Sequence, residues 1–315
     1  MFKTTPKIEG IYLAGPRGFC AGVARAVNAL DEVLKIHGAP VYARHAIVHN
    51  RTIVERFEKK GAIFVEELSE IPDGSTVVFS AHGSPPSFFT IAKKKKFKLY
   101  DATCPLVLKV HIEAKKYASE GYFIFYVGHR GHPEPIGVMG NVPKDSIVLV
   151  ESAAEAQKIK PPQSEKLIVL TQTTLSFDDT KEILNSLQEH FPTMIRPPAF
   201  DICYATQNRQ VAVKAMAKEV DVIIVIGSPE SSNSVQLRET AKKEGTPAYL
   251  IDGPDQLEQE WFTDGMNVGI TAGASAPEDV VLEVVKALSD DSTKMKELIV
   301  KIENVKFLPP AGLSS

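Results

Sequence analysis

Short apolar runs alternate with longer amphipathic stretches along the chain. The runs "GIYLAG", "TVVFSAHG", "FKLYDATC", "GYFIFYVGH", "SIVLV", "KLIVLTQTT", "AFDICYAT", "DVIIVIGS", "PAYLID" and "NVGITAG" read as strands. Several are continuously apolar rather than alternating, the pattern of a strand covered on both faces. Between them, "AGVARAVNALDEVLKI" and "PLVLKVHIEAKKYASE" repeat their apolar positions at helical spacing. Strand and helix in alternation predict an α/β protein with mostly parallel sheets. Turn residues separate the units, at "PDGS" (72–75), "PPQS" (161–164), "RPP" (196–198) and "DGP" (252–254). The final "LPPAGLSS" carries neither periodicity and is expected to be unstructured.

Ligands of open α/β sheets bind at the carboxyl ends of the strands, so the residues that follow each run are informative. They are Cys20, His82, Cys104, His132 and Glu134, Thr173, Cys203, the group Ser231, Ser232 and Asn233, and Ser275. His49, in "VHN", precedes a helical pattern. Strands that only pack have no need of such endings.

Each of the three cysteines stands where a strand is expected to give way to a helix, and a helix N-terminus favours thiolate. Pro105 suits the first turn of the helix after Cys104. Three thiolates leave one coordination position free. On zinc that is a catalytic site for a hydrolase or lyase; on a cubane iron–sulfur cluster it is an iron open to substrate. The cysteines also lie at comparable intervals, which predicts three pseudo-equivalent lobes: 21–103, 104–202, and 1–20 together with 203–310, with 311–315 as a flexible tail.

"SSNS" (231–234) and "AGAS" (272–275) offer hydroxyls, an amide and backbone N–H groups at helix starts, a setting for phosphate. The bland reading of these serines is N-capping. His49, His82 and His132 add donors. Glu134, two residues after His132, is expected to hold its proton near neutral pH if it faces a thiolate cluster and an anionic substrate. No Gly-rich nucleotide-binding motif is present.

Composition narrows the picture only slightly. The 315 residues, 43% hydrophobic and 24% charged, are those of a soluble chain of two or three domains. A net charge of −3 gives no reason to expect nucleic acid. "KKKK" at 93–96 reads first as a solvated helix face, and second as a docking patch. No apolar run is long enough for a membrane span or a secretory h-region, and three separate cysteines fit a reducing cytoplasm.

The stretches "GFCAGV", "VHN", "SAHG", "DATCPLV", "GHPE", "TQTTLS", "DICYAT", "SSNS" and "TAGASAP", in this order from about residue 11 to 280, resemble the 4-hydroxy-3-methylbut-2-enyl diphosphate reductase family, the LytB type. The resemblance implies three α/β lobes in a trefoil around a central cavity. It implies one 4Fe–4S cubane on Cys20, Cys104 and Cys203, with an open iron that binds the substrate hydroxyl and is lost on oxidation to leave 3Fe–4S. The diphosphate would lie against His49, His82, His132, Ser231, Ser232, Asn233 and Ser275. Thr173 and Glu134 would lie near the hydroxyl, with Glu134 and His132 in the proton supply. Two electrons from an external ferredoxin or flavodoxin would give isopentenyl and dimethylallyl diphosphate, the last step of the methylerythritol phosphate route. A monomer suffices for this arrangement. Ala24, Ile136 and the pair Pro229-Glu230 depart from the family pattern.

Overall fold

The computed structural model describes residues 7–160, 164–196 and 201–313. The chain begins β1 (Gly10–Gly15), α1 (Ala21–His37), β2 (Val41–Arg44), α2 (Arg51–Lys59), β3 (Ala62–Val65) and β4 (Thr76–Phe79). It continues α3 (Pro86–Lys94), β5 (Lys98–Asp101), α4 (Pro105–Ser119), β6 (Phe123–Val127) and α5 (Pro133–Met139). Next come β7 (Ile147–Val150), α6 (Ala153–Ala156), β8 (Leu167–Thr171), α7 (Phe177–His190) and α8 (Tyr204–Met216). The last elements are β9 (Val222–Ile226), α9 (Ser232–Lys243), β10 (Ala248–Ile251), β11 (Asn267–Ala272), α10 (Glu278–Leu288) and β12 (Lys294–Ile299).

The strands form three sheets, ordered β10-β9-β11-β1-β12, β3-β2-β4-β5 and β7-β6-β8. All of their pairings are parallel. The α/β class with parallel sheets expected from the alternation is therefore the observed one.

The chain divides into two compact units. One comprises the residues up to Ala24, His49–Arg56 and Tyr204–Lys306, and holds the five-stranded sheet. The other comprises Arg25–Val48, Phe57–Cys203 and the residues from Phe307, and holds the four- and three-stranded sheets.

The continuous apolar runs have the cause inferred for them. In β9, Val222, Ile224 and Ile226 join Val280, Val281 and Val284 of α10 in one core. Ile223 and Val225 point the other way, to Val213 and Met216 of α8 and Leu237 of α9. Both faces are buried, so both parities must be apolar, and each such side chain contributes about 1.5–3 kcal/mol. β6 repeats the arrangement, with Phe125 and Val127 in one core and Ile124 and Tyr126 in another.

Three strands carry no such signature. β2 and β3 have four residues each. β12 is an edge strand paired with β1, and its "KMKELI" is exposed along most of its length. Conversely, the described part of "AFDICYAT" is not a strand: Asp201–Cys203 lead without ladder pairing into α8, while 197–200 lie outside the described residues. The turn assignments at "PPQS" and "RPP" also fall largely outside them, as do the last two residues of the tail.

Two local features matter below. Arg209 of α8 is 1% exposed. Its guanidinium donates to the carbonyl oxygens of Gly18 (2.7 and 3.2 Å) and Ala205 (2.9 Å), and to the carboxylate of Glu303 (3.0 and 3.3 Å). At the far edge of the same sheet, Trp261 stacks on Tyr249 of β10 with ring centroids 4.0 Å apart and planes 4° from parallel. In the lysine run, Lys95 is not a free surface charge. Its ammonium donates to the carbonyl oxygens of Leu68, Ser69 and Ile71.

Candidate active site

The cysteines are half-buried and none is in a disulfide. Each stands one residue before a helix: Cys20 before α1, Cys104 before α4, Cys203 before α8. The Val23 N–H lies 3.5 Å from the Cys20 sulfur. Each cysteine also donates its own N–H into a loop bearing other candidate residues. Cys20 donates to Ala274, beside Ser275, at 3.2 Å. Cys104 donates to Ala81, beside His82, at 3.0 Å, and Cys203 donates to Thr173 itself, at 3.0 Å. Three separate local folds thus tie a thiol to a residue already singled out.

In the unit with the five-stranded sheet, Ser231, Asn233 and Ser275 come together. Ser231 caps α9 by accepting from the Ser234 N–H at 3.3 Å, and the Ser234 hydroxyl lies 3.0 Å from that of Ser231. The Ser275 hydroxyl is 3.3 Å from Ser231 Oγ and donates to the His49 carbonyl at 2.9 Å. Asn233 Oδ1 accepts from the Ala274 N–H at 2.8 Å. Ser232 is the first residue of α9. The capping and anion readings of "SSNS" are therefore compatible: the serine that caps the helix also stands at its positive end. Ser275 lies in the turn between β11 and α10 rather than at a helix start. Gly227 and Gly273 leave room for this cluster, since a Cβ on either would fall within about 2 Å of Ser234 Oγ.

In the other unit, α5 opens on His132 and Glu134. His132 is its N-cap, and its Nδ1 accepts from the Glu134 N–H at 3.2 Å. The ring of His132 meets that of His82 edge to face, centroids 5.7 Å apart. His82 Nδ1 lies 3.2 Å from the Ser80 hydroxyl. Glu134 is 2% exposed. Its Oε1 accepts from the Thr173 N–H at 2.8 Å and its Oε2 from the Thr173 hydroxyl at 2.9 Å. Burial pushes its pKa up to about 7, against the opposing pull of the two Thr173 hydrogen bonds. The direction foreseen from the sequence is present, with desolvation as its main cause and the charge of Asp201 adding to it.

Several neighbours were not visible in the sequence. Tyr126 is fully buried, and its hydroxyl is held protonated by burial and by the nearby Glu134 carboxyl. Asp201 accepts from the Thr171 N–H at 3.0 Å and pairs with Lys109 of α4 at 3.2 Å, which braces the Cys203 segment against the helix that follows Cys104. His111 lies on the buried stripe of α4. A polar residue on an otherwise apolar helix face was the one available signal for it.

Among the described residues, no three His, Cys, Asp or Glu side chains form a group able to hold a single metal ion. Three cysteine thiolates are the soft sulfur donors that a cubane takes, each on a different iron.

The model of the LytB protein family matches residues 11–289. The chain belongs to the LytB family. A LytB relative from Burkholderia mallei, 4-hydroxy-3-methylbut-2-enyl diphosphate reductase 2, is 50% identical over 96% of this chain and 93% of its own length. The reductase of a Polaromonas species is 49% identical over 98% and 92%. Among solved LytB structures, the E-1-hydroxy-2-methyl-but-2-enyl-4-diphosphate reductase of Plasmodium falciparum superposes with a TM-score of 0.93 at 38% identity, covering 97% of this chain and 96% of that one. A second reductase, the terminal enzyme of the non-mevalonate pathway, gives 0.64 at 34% identity, covering 89% and 99%. As a LytB protein the chain is an oxidoreductase. Among its described residues no helix is long and apolar enough to cross a membrane.

Proposed function

We propose that this chain reduces (E)-4-hydroxy-3-methylbut-2-enyl diphosphate to isopentenyl and dimethylallyl diphosphate, using one 4Fe–4S cluster on Cys20, Cys104 and Cys203. The reading rests on the reductase activity for which its relatives are named and on one observation above all: a buried carboxyl group, Glu134, held through both oxygens by Thr173 and half-protonated near pH 7. When bound, the cluster supplies the electrons and an open, Lewis-acidic iron for the substrate hydroxyl.

The overall change takes up two electrons and two protons, breaks the C–O bond, releases the oxygen as water and leaves a C–H bond in its place. Glu134 is the internal proton source. Its Oε1 faces an obligate donor, the Thr173 N–H, so the acidic proton sits on Oε2. There it meets the Thr173 hydroxyl, which can accept it and pass its own hydrogen on. His132, at the start of the same helix, and His82 beside it bind the diphosphate through ring N–H groups. His49, Ser231, Ser232, Asn233 and Ser275 complete the anion site with hydroxyls, an amide and the α9 N-terminus. Holding the substrate by its diphosphate leaves the reacting end no freedom to wander.

The sequence has no flavin or nicotinamide motif. Electrons therefore arrive from a small external carrier, a ferredoxin or flavodoxin. The chain acts as a cytoplasmic monomer, and exposure to oxygen converts its cluster to 3Fe–4S by loss of the iron that lacks a protein ligand.

Protein purified without oxygen tests the proposal. It should hold about four irons and four sulfides per chain, and should convert the allylic diphosphate to the two products with a chemical reductant. Stoichiometric zinc without sulfide, or loaded protein that leaves the diphosphate unchanged, would overturn it.

A further inference from the structure

His111 is 5% exposed on α4. Its Nδ1 lies 3.1 Å from Asn141 Nδ2, and the same Asn141 nitrogen lies 2.6 Å from the Gly137 carbonyl oxygen. A carbonyl only accepts, so the Asn141 group facing it is the NH2. That nitrogen donates to both neighbours. Nδ1 of His111 is therefore the bare acceptor, and Nε2 carries the ring hydrogen. Burial and the charge of Lys115 hold the His111 pKa down, at about 4, which keeps the ring in this neutral form.

Nε2 is buried without a hydrogen-bond partner. Two glycines press on this edge of the ring. A Cβ on Gly83 would stand 2.8 Å from Cε1 and 2.9 Å from Nε2, and a Cβ on Gly137 would stand 3.1 Å from each. Gly83 also has φ +83, so two independent constraints require glycine there. Gly83 directly follows His82. Gly137 lies on α5, which opens on His132 and Glu134. The imidazole thus fills the space between the two segments that bear the facing histidines, and each segment meets it with bare backbone.

We propose that His111 is a positioning residue: its neutral ring is the fixed spacer between the His82–Gly83 turn and α5, and it sets the separation at which His82 and His132 hold one phosphate group between them. This deepens the reading of those histidines as diphosphate ligands. An apolar filler would serve packing equally well, but it would not accept from Asn141 and so would not fix the ring's orientation.

Steady-state kinetics of the cluster-loaded full chain test the spacer. His111→Ala should raise KM for the allylic diphosphate roughly tenfold or more, with a smaller change in kcat and unchanged iron and sulfide. His111→Asn, which keeps an acceptor near Nδ1, should recover part of that loss. Gly137→Ala should raise KM in the wild-type background, because its methyl meets the ring, and should not raise it further in His111→Ala, where the methyl enters vacated space. A fall in kcat at unchanged KM would mean only lost active protein and would overturn the proposal. So would a KM within about twofold of wild type in both single variants. If His111→Ala does not fold, Gly137→Ala alone decides in the same way. If wild type does not reduce the substrate, the functional reading fails separately. Calorimetry with inorganic pyrophosphate on the same proteins then tests the spacer: equal affinity in wild type and Gly137→Ala, or no binding to wild type, would overturn it.

Discussion

The backbone N–H of Cys203 donates to the carbonyl oxygen of Thr173 at 3.0 Å. Thr173 in turn directs its own N–H and hydroxyl at the two oxygens of Glu134. One threonine therefore joins the backbone of a proposed cluster ligand to the side chain of the proposed acid.

Glu134→Gln keeps the shape of this contact and removes the proton. Turnover should fall by about 10²–10⁴-fold, the usual worth of a positioned acid. Iron and sulfide per chain, measured on the same sample, should not change.

In the proposed reaction the acid form of Glu134 is the competent one, and its pKa lies near 7. With a chemical reductant whose potential is held fixed, kcat should decline as pH rises through about 7. Thr173→Val removes a hydrogen bond that lowers this pKa, so it should carry the decline to higher pH while reducing the rate.

His111 titrates with the opposite consequence. Its pKa is about 4 when folded, against an ordinary 6.5, so the unfolded chain binds the extra proton between these values. The stabilisation is complete above pH 6.5 and is lost as pH falls towards 4. At pH 5 the loss is about 2 kcal/mol. Glu134 acts the other way, its contribution being full below pH 4.5 and lost as pH rises through about 7. The difference between wild type and His111→Asn in denaturant unfolding at pH 7 and pH 5 isolates the histidine. Equal differences at the two pH values would contradict the assignment.

Arg209→Ala leaves the Gly18 carbonyl and the Glu303 carboxylate without the guanidinium that serves both. Breaking a buried pair from one side costs about 3–5 kcal/mol. Glu303 retains some exposure, which places the expected loss at the lower end of that range. Thermal unfolding measures it.

Gly273→Ala would drive a methyl group into the Ser234 hydroxyl. The turn bearing Ser275 must then move away from Ser231. KM for the diphosphate should rise about tenfold or more, and Gly273→Ala with Ser234→Ala should recover part of the loss. Equal KM values for Gly273→Ala and wild type would show that the serine cluster has no part in binding.

Much of this was legible beforehand for definite physical reasons. Strands buried on both faces must be apolar throughout, so β1, β6, β8, β9 and β11 declare themselves. β12 does not. "KMKELIVKIE" reads equally well as a polar helix, and only its pairing with β1 makes its first part a strand. "AFDICYAT" misled through its β-prone composition, whereas Asp201 there uses its side chain, not a ladder, to hold the end of β8. The cysteines, His82, His132 and Glu134 were marked by their positions after apolar runs. His111, Asn141 and Tyr126 were not, because a residue that acts from inside a core announces itself only through what packs around it.

Trp261 is the one tryptophan of the sequence, and it lies flat against Tyr249 in the unit of the five-stranded sheet. Indole emission is therefore a built-in gauge of that unit alone. The brown colour of the proposed cluster would, by contrast, draw on Cys20 of one unit and on Cys104 and Cys203 of the other. If bleaching on denaturation precedes the change in emission, the two halves of the chain come apart as separate cooperative bodies; if both optical signals change together, the bound cluster makes one body of them.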